Sequence, residues 1–266
     1  MDHDLHAAFV SAGPGAHSRA AFLEAADRLP GFAAVRSALR AAAPLHAGQV
    51  LLDAGCGLGL ETVRLATDHP GATVVGLDRD AALLTAARER AAGGPGNLCW
   101  VLGDVTGPGL APGSVDVVRT ERVLIYVEPL RDAVAALARL LRRGGVLATY
   151  ELDYGGTLLA PGALPHTSVR TLTACLADAL PQPWAGRQLP AVAAACGMDV
   201  VAARPYAFET GHTVWARIVG DTLRAAAADG RLDEPGLDAW LAELDDPDFP
   251  GFRAAFTGVL TVARRP

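Results

Sequence analysis

The stretch VLLDAGCGLGLE, residues Val50 to Glu61, places three glycines at alternate positions directly behind a short apolar run. Glycine allows backbone with positive φ and lets the chain come close to a ligand, although it is entropically costly to fix in place. Three glycines within five residues therefore indicate a demanding backbone geometry. Because the loop follows a strand-like run, the stretch predicts a ligand site at the end of a first β-strand.

Apolar strand-like runs alternate with helical segments from Val50 to Tyr150. The runs cover residues 50–53, 73–78, 98–102, 115–119 and 145–151. In the clearest helix, Leu130 to Leu141, apolar residues recur at i, i+4, i+7 and i+11 on one face. Strands that are apolar throughout and alternate with helices are typical of a parallel sheet covered on both faces.

Segments on both sides of this region complete the predicted organisation. Two helices at about residues 19–29 and 32–42 predict a helical cap segment over residues 1–48, followed by a main domain at 49–266. Further helices are expected near residues 168–180 and 189–196, and the last two strands at residues 200–203 and 256–263.

About fifty residues separate the last two predicted strands, too many for a plain turn. They contain two helical stretches, 214–228 and 236–244. This insertion predicts a helical lid at about residues 207–253.

Composition excludes several functional classes. All 23 basic residues are arginine, because the sequence contains no lysine, and this excludes Schiff-base enzymes, pyridoxal phosphate enzymes and Walker-type phosphate sites. A net charge of −6 without a basic run argues against nucleic acid as a partner. The four cysteines lie far apart without metal-ligand spacing, so we expect no metal site.

The first residues, MDHDLHAAFVSAGPGA, lack the basic segment and apolar core of a secretory signal. No apolar window is long enough to cross a bilayer. We therefore expect a cytoplasmic protein without a membrane partner, either a monomer or a homodimer.

Two ligand classes compete for a glycine loop behind the first strand of a parallel sheet. The dinucleotide fingerprint is G-x-G-x-x-G/A, whose third small residue packs against the strand. Here Gly59 comes one place early, and Leu60 occupies the fingerprint position. The spacing therefore makes a dinucleotide oxidoreductase the least favoured function.

The segment D-A-G-C-G-L-G resembles the glycine motif of class I S-adenosylmethionine (SAM) dependent methyltransferases. Four further features follow in that family's order: GLDRD ending strand two, Gly103-Asp104-Val105 after strand three, Arg119 to Leu124 after strand four, and Arg-Arg-Gly-Gly before strand five. The match covers residues 50–153 and is most similar to small-molecule enzymes of the quinone and natural-product type.

The resemblance implies an α/β fold, namely a Rossmann-like, doubly wound, mostly parallel sheet of seven strands. It also implies SAM as the cofactor, S-adenosylhomocysteine as the product, and O- or C-methylation of a small organic acceptor in specialised metabolism.

The predicted cofactor site follows from the separate needs of each part of SAM. Glycine backbone can approach the methionine and ribose portions, Asp78 can accept hydrogen bonds from the ribose hydroxyls, and Asp104 can reach the adenine amino group. Asp53 can complement the ammonium group, directly or through water. Asp78 or Asp104 taken singly could instead cap a helix. The complete predicted set is Asp53, Gly55, Gly57, Gly59, Asp78, Arg79, Asp104, Val105 and Arg119.

Methyl transfer from a sulfonium is an in-line displacement with an already activated electrophile, so no universal catalytic residue is expected. Tyr126 stands where similar proteins often have histidine, and packing under the cofactor is its alternative role. The segment Glu-Leu-Asp-Tyr-Gly after strand five resembles the segment that lines the acceptor pocket in related enzymes. Candidates for a general base are Tyr126, Glu151, Asp153, Tyr154, His166 and His212.

Aromatic side chains are expected to roof the pocket, which suits an aromatic or apolar acceptor. These side chains are Phe9, His17, Phe22, Trp184 and Trp215, and the helices after Gly211 are expected to complete the roof. Core packing is the alternative explanation for each of these side chains. Two other functions stay open on the same scaffold: a SAM-binding cyclase or rearrangement catalyst that transfers no methyl group, and a regulatory SAM sensor.

Overall fold

The computed structural model describes residues 15–161, 166–209, 220–246 and 252–266. Its helices are α1 (Gly15–Asp27), α2 (Pro30–Ala42), α3 (Leu60–Asp68), α4 (Ala81–Arg90), α5 (Leu130–Leu140), α6 (His166–Asp178), α7 (Ala185–Ala195), α8 (Asp221–Ala228) and α9 (Leu237–Asp245). Its strands are β1 (Val50–Ala54), β2 (Thr73–Asp78), β3 (Leu98–Leu102), β4 (Val115–Glu121), β5 (Leu141–Leu152), β6 (Leu158–Pro161), β7 (Asp199–Glu209) and β8 (Phe252–Arg264).

The strands form one mixed sheet. β3, β2, β1, β4 and β5 are neighbours in that order, and every pair among them is parallel. β8 lies antiparallel between β5 and β7. The predicted seven-stranded, mostly parallel sheet is confirmed, and the short strand β6 adds a further antiparallel pairing at the start of β8.

The central strands are buried because helices cover both faces of the sheet. Leu51 and Leu52 of β1 and Val118 of β4 have almost no exposed surface. The predicted apolar face of α5 is confirmed, with Leu130, Val134 and Leu137 all buried. The helix ends at Leu140 rather than Leu141, since Leu141 already pairs with Val115 of β4.

The helices α1 and α2, here called the cap helices, precede the sheet as predicted. α2 buries Phe32, Val35 and Leu39 and packs against β5, β7 and β8. The exact division between a cap segment at 1–48 and a main domain at 49–266 stays a prediction.

The described part of the predicted lid contains α8 and α9, between β7 and β8. α8 packs against α6, and Leu223 and Trp240 are buried. β7 runs to Glu209, so the strand is longer than the predicted segment 200–203. Across the described ranges, no helix is both long and apolar enough to span a membrane.

Candidate active site

A cavity of about 760 Å³ opens at the carboxyl ends of the parallel strands. This volume lies in the range of small-molecule sites, and the place is where ligands bind in open α/β sheets. One part, called the cofactor half below, is lined by Asp53, Gly55, Cys56, Gly57, Leu58, Leu60, Glu61, Leu77, Asp78, Arg79, Asp80, Ala81, Leu83, Gly103, Asp104, Val105, Arg119 and Glu121. The other part, called the acceptor half, is lined by Tyr126, Val127, Leu152, Tyr154, Leu176, Leu180, Asp221, Thr222, Ala225 and Phe256.

The three glycines of the loop after β1 are required for three different reasons. All have positive φ, 79° at Gly55, 54° at Gly57 and 67° at Gly59. A Cβ at Gly55 would lie 2.3 Å from Val123, and a Cβ at Gly59 would lie 2.3 Å from the Trp100 ring.

Only the first two of these glycines line the cavity, so the expectation that Gly59 approaches the ligand is corrected. Gly59 is the N-cap residue of α3 and makes room for Trp100 instead. At Gly57 the nearest heavy atom to a Cβ would be Leu23 of α1, at 3.5 Å. Gly57 is therefore the position where the loop backbone lies open beneath the cap helices.

Asp78 ties this loop to the end of β2. Its Oδ2 accepts a hydrogen bond from the Gly57 N–H at 2.7 Å, and its Oδ1 accepts one from the Asp80 N–H at 2.9 Å. Burial raises the pKa of Asp78, and the two backbone bonds oppose that shift. The N-cap of α4 is Asp80, which removes the alternative that Asp78 serves as a helix cap.

The loop after β3 brings Asp104 and Val105 to the cavity wall, together with Arg79 from the loop after β2. The Asp104 Oδ1 accepts hydrogen bonds from the N–H and the hydroxyl of Thr106, at 2.8 and 2.7 Å. Burial opposes the ionised form, but these bonds and Arg79, 3.9 Å away, lower the pKa of Asp104 overall. Asp104 is therefore a fixed carboxylate at the far end of the cofactor half.

Asp53 and Arg119 are partners of each other across β1 and β4. The Asp53 Oδ1 lies 3.1 Å from Arg119 Nη1, and its Oδ2 accepts a hydrogen bond from the Thr62 hydroxyl at 2.6 Å. Arg119 Nη2 also donates to Glu121 at 2.5 Å. Both Asp53 oxygens are thus engaged within the protein, and the predicted role of Asp53 opposite the ammonium group, directly or through water, stays a prediction.

The same ion-pair network reaches the cap helices, a connection that the sequence did not reveal. Arg36 of α2 donates to both Glu121 oxygens at 3.0 Å and to Asp27 at 2.7 Å. Burial opposes ionisation of Glu121, but Arg119, Arg122 and Arg36 together lower its pKa. Arg36 and Glu121 line the cavity, so the cap helices close over the site through buried charges.

The acceptor half is predominantly apolar. Tyr154 and Phe256 meet edge to face with their ring centroids 5.8 Å apart. Burial raises the pKa of Tyr126 to about 12 and also raises the pKa of Tyr154. Both phenols therefore stay protonated near neutral pH. The other residues that line this half are Val127, Leu152, Leu176, Leu180, Asp221, Thr222 and Ala225.

Alternation along the end of β5 decides which predicted base candidates face the cavity. Leu152 and Tyr154 line it, whereas Glu151 and Asp153 do not, because successive side chains of an extended chain point to opposite sides. Glu151 has no exposed surface, and Asp153 binds Arg187 at 2.7 Å. The expectation that these two carboxylates face the acceptor is therefore corrected.

The remaining candidates divide between described and undescribed positions. Phe22 lines the cavity, whereas Trp184 is 43% exposed and does not line it. His166 begins α6, but its side chain and that of His17 lie outside the described structure. His212, Phe9 and Trp215 also lie outside the described residues.

Comparison with known families places the central part of the chain in a defined group. Residues 52–149 match the family described as "Methyltransferase domain". A protein named trans-aconitate 2-methyltransferase from Methylobacterium radiotolerans is 30% identical over 239 residues, covering 86% of this chain and 84% of the relative. A protein of the same name from Azoarcus sp. is 28% identical over 235 residues, with coverage of 86% and 84%.

Solved structures share the fold. A protein from Bacillus halodurans superposes with a TM-score of 0.64 at 15% identity, over 86% of this chain and 98% of that one. A geranyl diphosphate methyltransferase in complex with SAM gives 0.56 at 21% identity, over 98% and 95%. The [4+2]-cyclase SpnF gives 0.58 at 18% identity, over 87% and 80%.

Proposed function

This chain belongs to the class I SAM-dependent methyltransferases, and on that basis we propose that it methylates an apolar or aromatic acceptor on oxygen or carbon. SAM-dependent methylation of a small organic acceptor follows from the family. The finer assignment is supported by one observation, the apolar wall of the acceptor half formed by Leu152, Tyr154, Leu176, Leu180 and Phe256.

The cofactor half fits SAM by its chemistry. A carboxylate offers about four lone-pair sites, and Asp78 uses one on each oxygen for a backbone N–H. Capacity is left for both ribose hydroxyls. We assign the adenine amino group to Asp104 with Val105 as an apolar contact, and the methionine end to Gly57 and the neighbourhood of Asp53 and Arg119.

Bound SAM would supply the activated methyl group, and the protein would exclude water and orient the acceptor. Tyr126 and Tyr154 stay protonated near neutral pH, so they would donate hydrogen bonds to an acceptor rather than remove its proton. The acceptor would therefore arrive as a nucleophile by its own chemistry, such as an ionised oxygen or an electron-rich carbon. Catalysis would rest mainly on alignment and exclusion of water.

The relatives favour a second candidate acceptor, trans-aconitate, because it appears in their names. Trans-aconitate is a polycarboxylate and would require cationic partners. In the described acceptor half, β5, α6 and β8 contribute apolar side chains, and Tyr126 and Tyr154 contribute phenols. Helix α8 contributes Asp221, Thr222 and Ala225. The arginines that line the cavity lie outside the acceptor half, and each has a carboxylate within 4.0 Å: Arg36, Arg79, Arg119 and Arg122. This charge pattern supports an apolar acceptor.

The test is incubation of the purified protein with trideuteromethyl-labelled SAM and mass spectrometry of the products. Three separate incubations would contain apolar phenols and carboxylic acids, trans-aconitate, or a metabolite extract of the source organism. We expect label on apolar acceptors, whereas label on trans-aconitate alone would overturn the acceptor assignment. An extract that changes without acquiring label would instead support the cyclase or rearrangement alternative.

We further propose that the protein is cytoplasmic and is a monomer or a homodimer. Light scattering coupled to size-exclusion chromatography would determine the oligomeric state. Cell fractionation would determine the location.

A further inference from the structure

The carboxylate of Glu151 accepts hydrogen bonds from the turn that follows β4, residues 122–126. The Glu151 Oε1 accepts hydrogen bonds from the Thr120 hydroxyl and the Val123 N–H, both at 3.1 Å. Its Oε2 accepts one from the Ile125 N–H at 3.3 Å. One fully buried carboxylate therefore binds main-chain donors at two positions of the same turn.

The same turn contacts both halves of the cavity. Val123 packs against Gly55, where a Cβ would lie 2.3 Å from its Cγ2. Tyr126 lines the acceptor half, and the Ile125 carbonyl accepts a hydrogen bond from the Gln182 N–H at 3.0 Å. A displacement of this turn would therefore move the glycine loop relative to the acceptor wall.

The turn begins with an unusual backbone conformation. Arg122 has a φ of 58°, and it is the one non-glycine residue with positive φ in the part of the chain that the structure describes. Its N–H donates to the Tyr150 carbonyl at 2.8 Å, and its guanidinium lies 3.9 Å from the Phe32 ring centroid. Such a conformation persists only where the surrounding structure stabilises it. Glu151 contributes to this stabilisation because it binds the N–H groups of Val123 and Ile125, directly after Arg122.

We propose that Glu151 is a positioning residue for methyl transfer, because its carboxylate fixes the distance between the glycine loop and the acceptor wall. The proposal rests on the cofactor site assigned above. Glu151 does not line the cavity, so it acts through Val123 and Tyr126 rather than on the reacting atoms.

The charge of Glu151 changes in the physiological range. Burial raises its pKa to about 7, although the backbone donors of the turn and Thr120 oppose the shift. Above this pH the carboxylate accepts all three hydrogen bonds, and below it the protonated group loses acceptor capacity. Cofactor affinity should therefore decrease as the pH falls through about 7.

The ionised groups around Glu151 keep their charge state in this window. Burial raises the pKa of Tyr126 and of Tyr150, so both phenols stay protonated. Burial opposes ionisation of Glu121, but neighbouring arginines lower its pKa. Gly186 of α7 packs against the Glu151 carbonyl and brings no charge. Tyr126 of the turn and Tyr150 of β5 interact electrostatically with Glu151, and Arg122 and Glu121 interact with Tyr150. On α7 the ionisable group next to Gly186 is Arg187, which is paired with Asp153.

The experiment compares Glu151→Gln with Asp116→Asn by calorimetric titration of S-adenosylhomocysteine between pH 6 and pH 8. Asp116 is a matched control because its carboxylate also accepts a backbone N–H, from Val50 at 2.8 Å, but at the opposite end of the strands. At pH 8 the E151Q variant should bind about tenfold more weakly, since its amide presents a donor to one of the two main-chain N–H groups. Part of the pH dependence should disappear in E151Q and be retained in D116N.

A second variant keeps the test decisive if E151Q folds poorly. Thr120→Val removes one hydrogen bond to the charged form, so the pH midpoint of binding should move upward. A midpoint unchanged in T120V, or a wild-type pH dependence in E151Q, would overturn the positioning role. If the wild-type protein itself bound no S-adenosylhomocysteine, the cofactor site and not merely the role of Glu151 would be refuted.

Discussion

The cofactor half and the acceptor half of the cavity are built by different means. The cofactor half uses backbone with positive φ and carboxylates held by main-chain N–H groups, all directly behind β1, β2 and β3. The acceptor half uses apolar side chains from β5, α6, α8 and β8, which are far apart in sequence. A ligand common to a whole family needs polar partners in fixed places, whereas an apolar acceptor needs mainly shape and exclusion of water.

The two halves also differ in how charge is distributed. Asp53, Arg119, Glu121 and Arg36 form a buried network in the cavity wall at the cofactor half. Among the described residues that line the acceptor half, Asp221 is the one carboxylate, and its side chain is 53% exposed. We therefore expect substitutions in this network to cost folding and cofactor binding together, and substitutions in the acceptor half to affect mainly the acceptor.

The largest effect is expected for Arg119→Met, which breaks the charge network. Removal of the cation would leave two buried carboxylates, Asp53 and Glu121, without their shared partner. The free energy of unfolding should fall by about 3–5 kcal/mol. Urea denaturation measures this, with Arg142→Met as a control, because that surface partner of Asp116 should contribute at most about 1 kcal/mol. Equal losses in both variants would contradict a special role for the network.

A somewhat smaller effect is expected for Gly55→Ala, which tests the backbone of the cofactor half. Contact with Val123 and the positive φ together should cost about 2–4 kcal/mol of unfolding free energy. Gly57→Ala should cost only about 1–2 kcal/mol, since it incurs the strain of positive φ without a close contact. Val123→Ala should rescue part of the Gly55→Ala loss in a double-mutant cycle. Additive losses would mean that the contact with Val123 is not the cause.

Asp78→Asn should weaken binding of S-adenosylhomocysteine by about 10- to 100-fold, because ribose hydroxyls lose an ionised acceptor. The free energy of unfolding should change by about 1 kcal/mol at most, since relief of carboxylate desolvation offsets a weakened backbone bond. Isothermal titration and thermal denaturation of the same sample measure both quantities. Unchanged affinity would remove Asp78 from the cofactor site.

The smallest effect is expected in the acceptor half, for Tyr154→Phe. Loss of one neutral donor should lower kcat/KM for the acceptor by about 2- to 10-fold. The affinity for S-adenosylhomocysteine should stay unchanged, because Tyr154 lies on the acceptor side. The pH profile of kcat should also stay unchanged, since burial keeps the wild-type phenol protonated. A shifted pH profile would show that the phenol does act as a base.

The alternation of strands and helices, the glycine loop and the acidic strand ends can all be predicted from the sequence alone. These features are local: an apolar run, a turn residue and the residue after a strand are specified within a few positions of each other. Asp78 and Asp104 could be placed at the cavity for this reason, since the carboxyl ends of parallel strands meet at one edge.

The direction of each side chain and its partner from a distant part of the chain could be assigned only from the folded structure. Glu151 and Asp153 point away from the cavity while their neighbours Leu152 and Tyr154 line it, because an extended chain alternates its faces from one residue to the next. Gly59 leaves space for the Trp100 ring. Glu121 accepts a hydrogen bond from Arg36 of a cap helix, 85 residues away in the sequence. Such contacts depend on how separate elements pack against each other, and that packing cannot be predicted from local spacing along the chain.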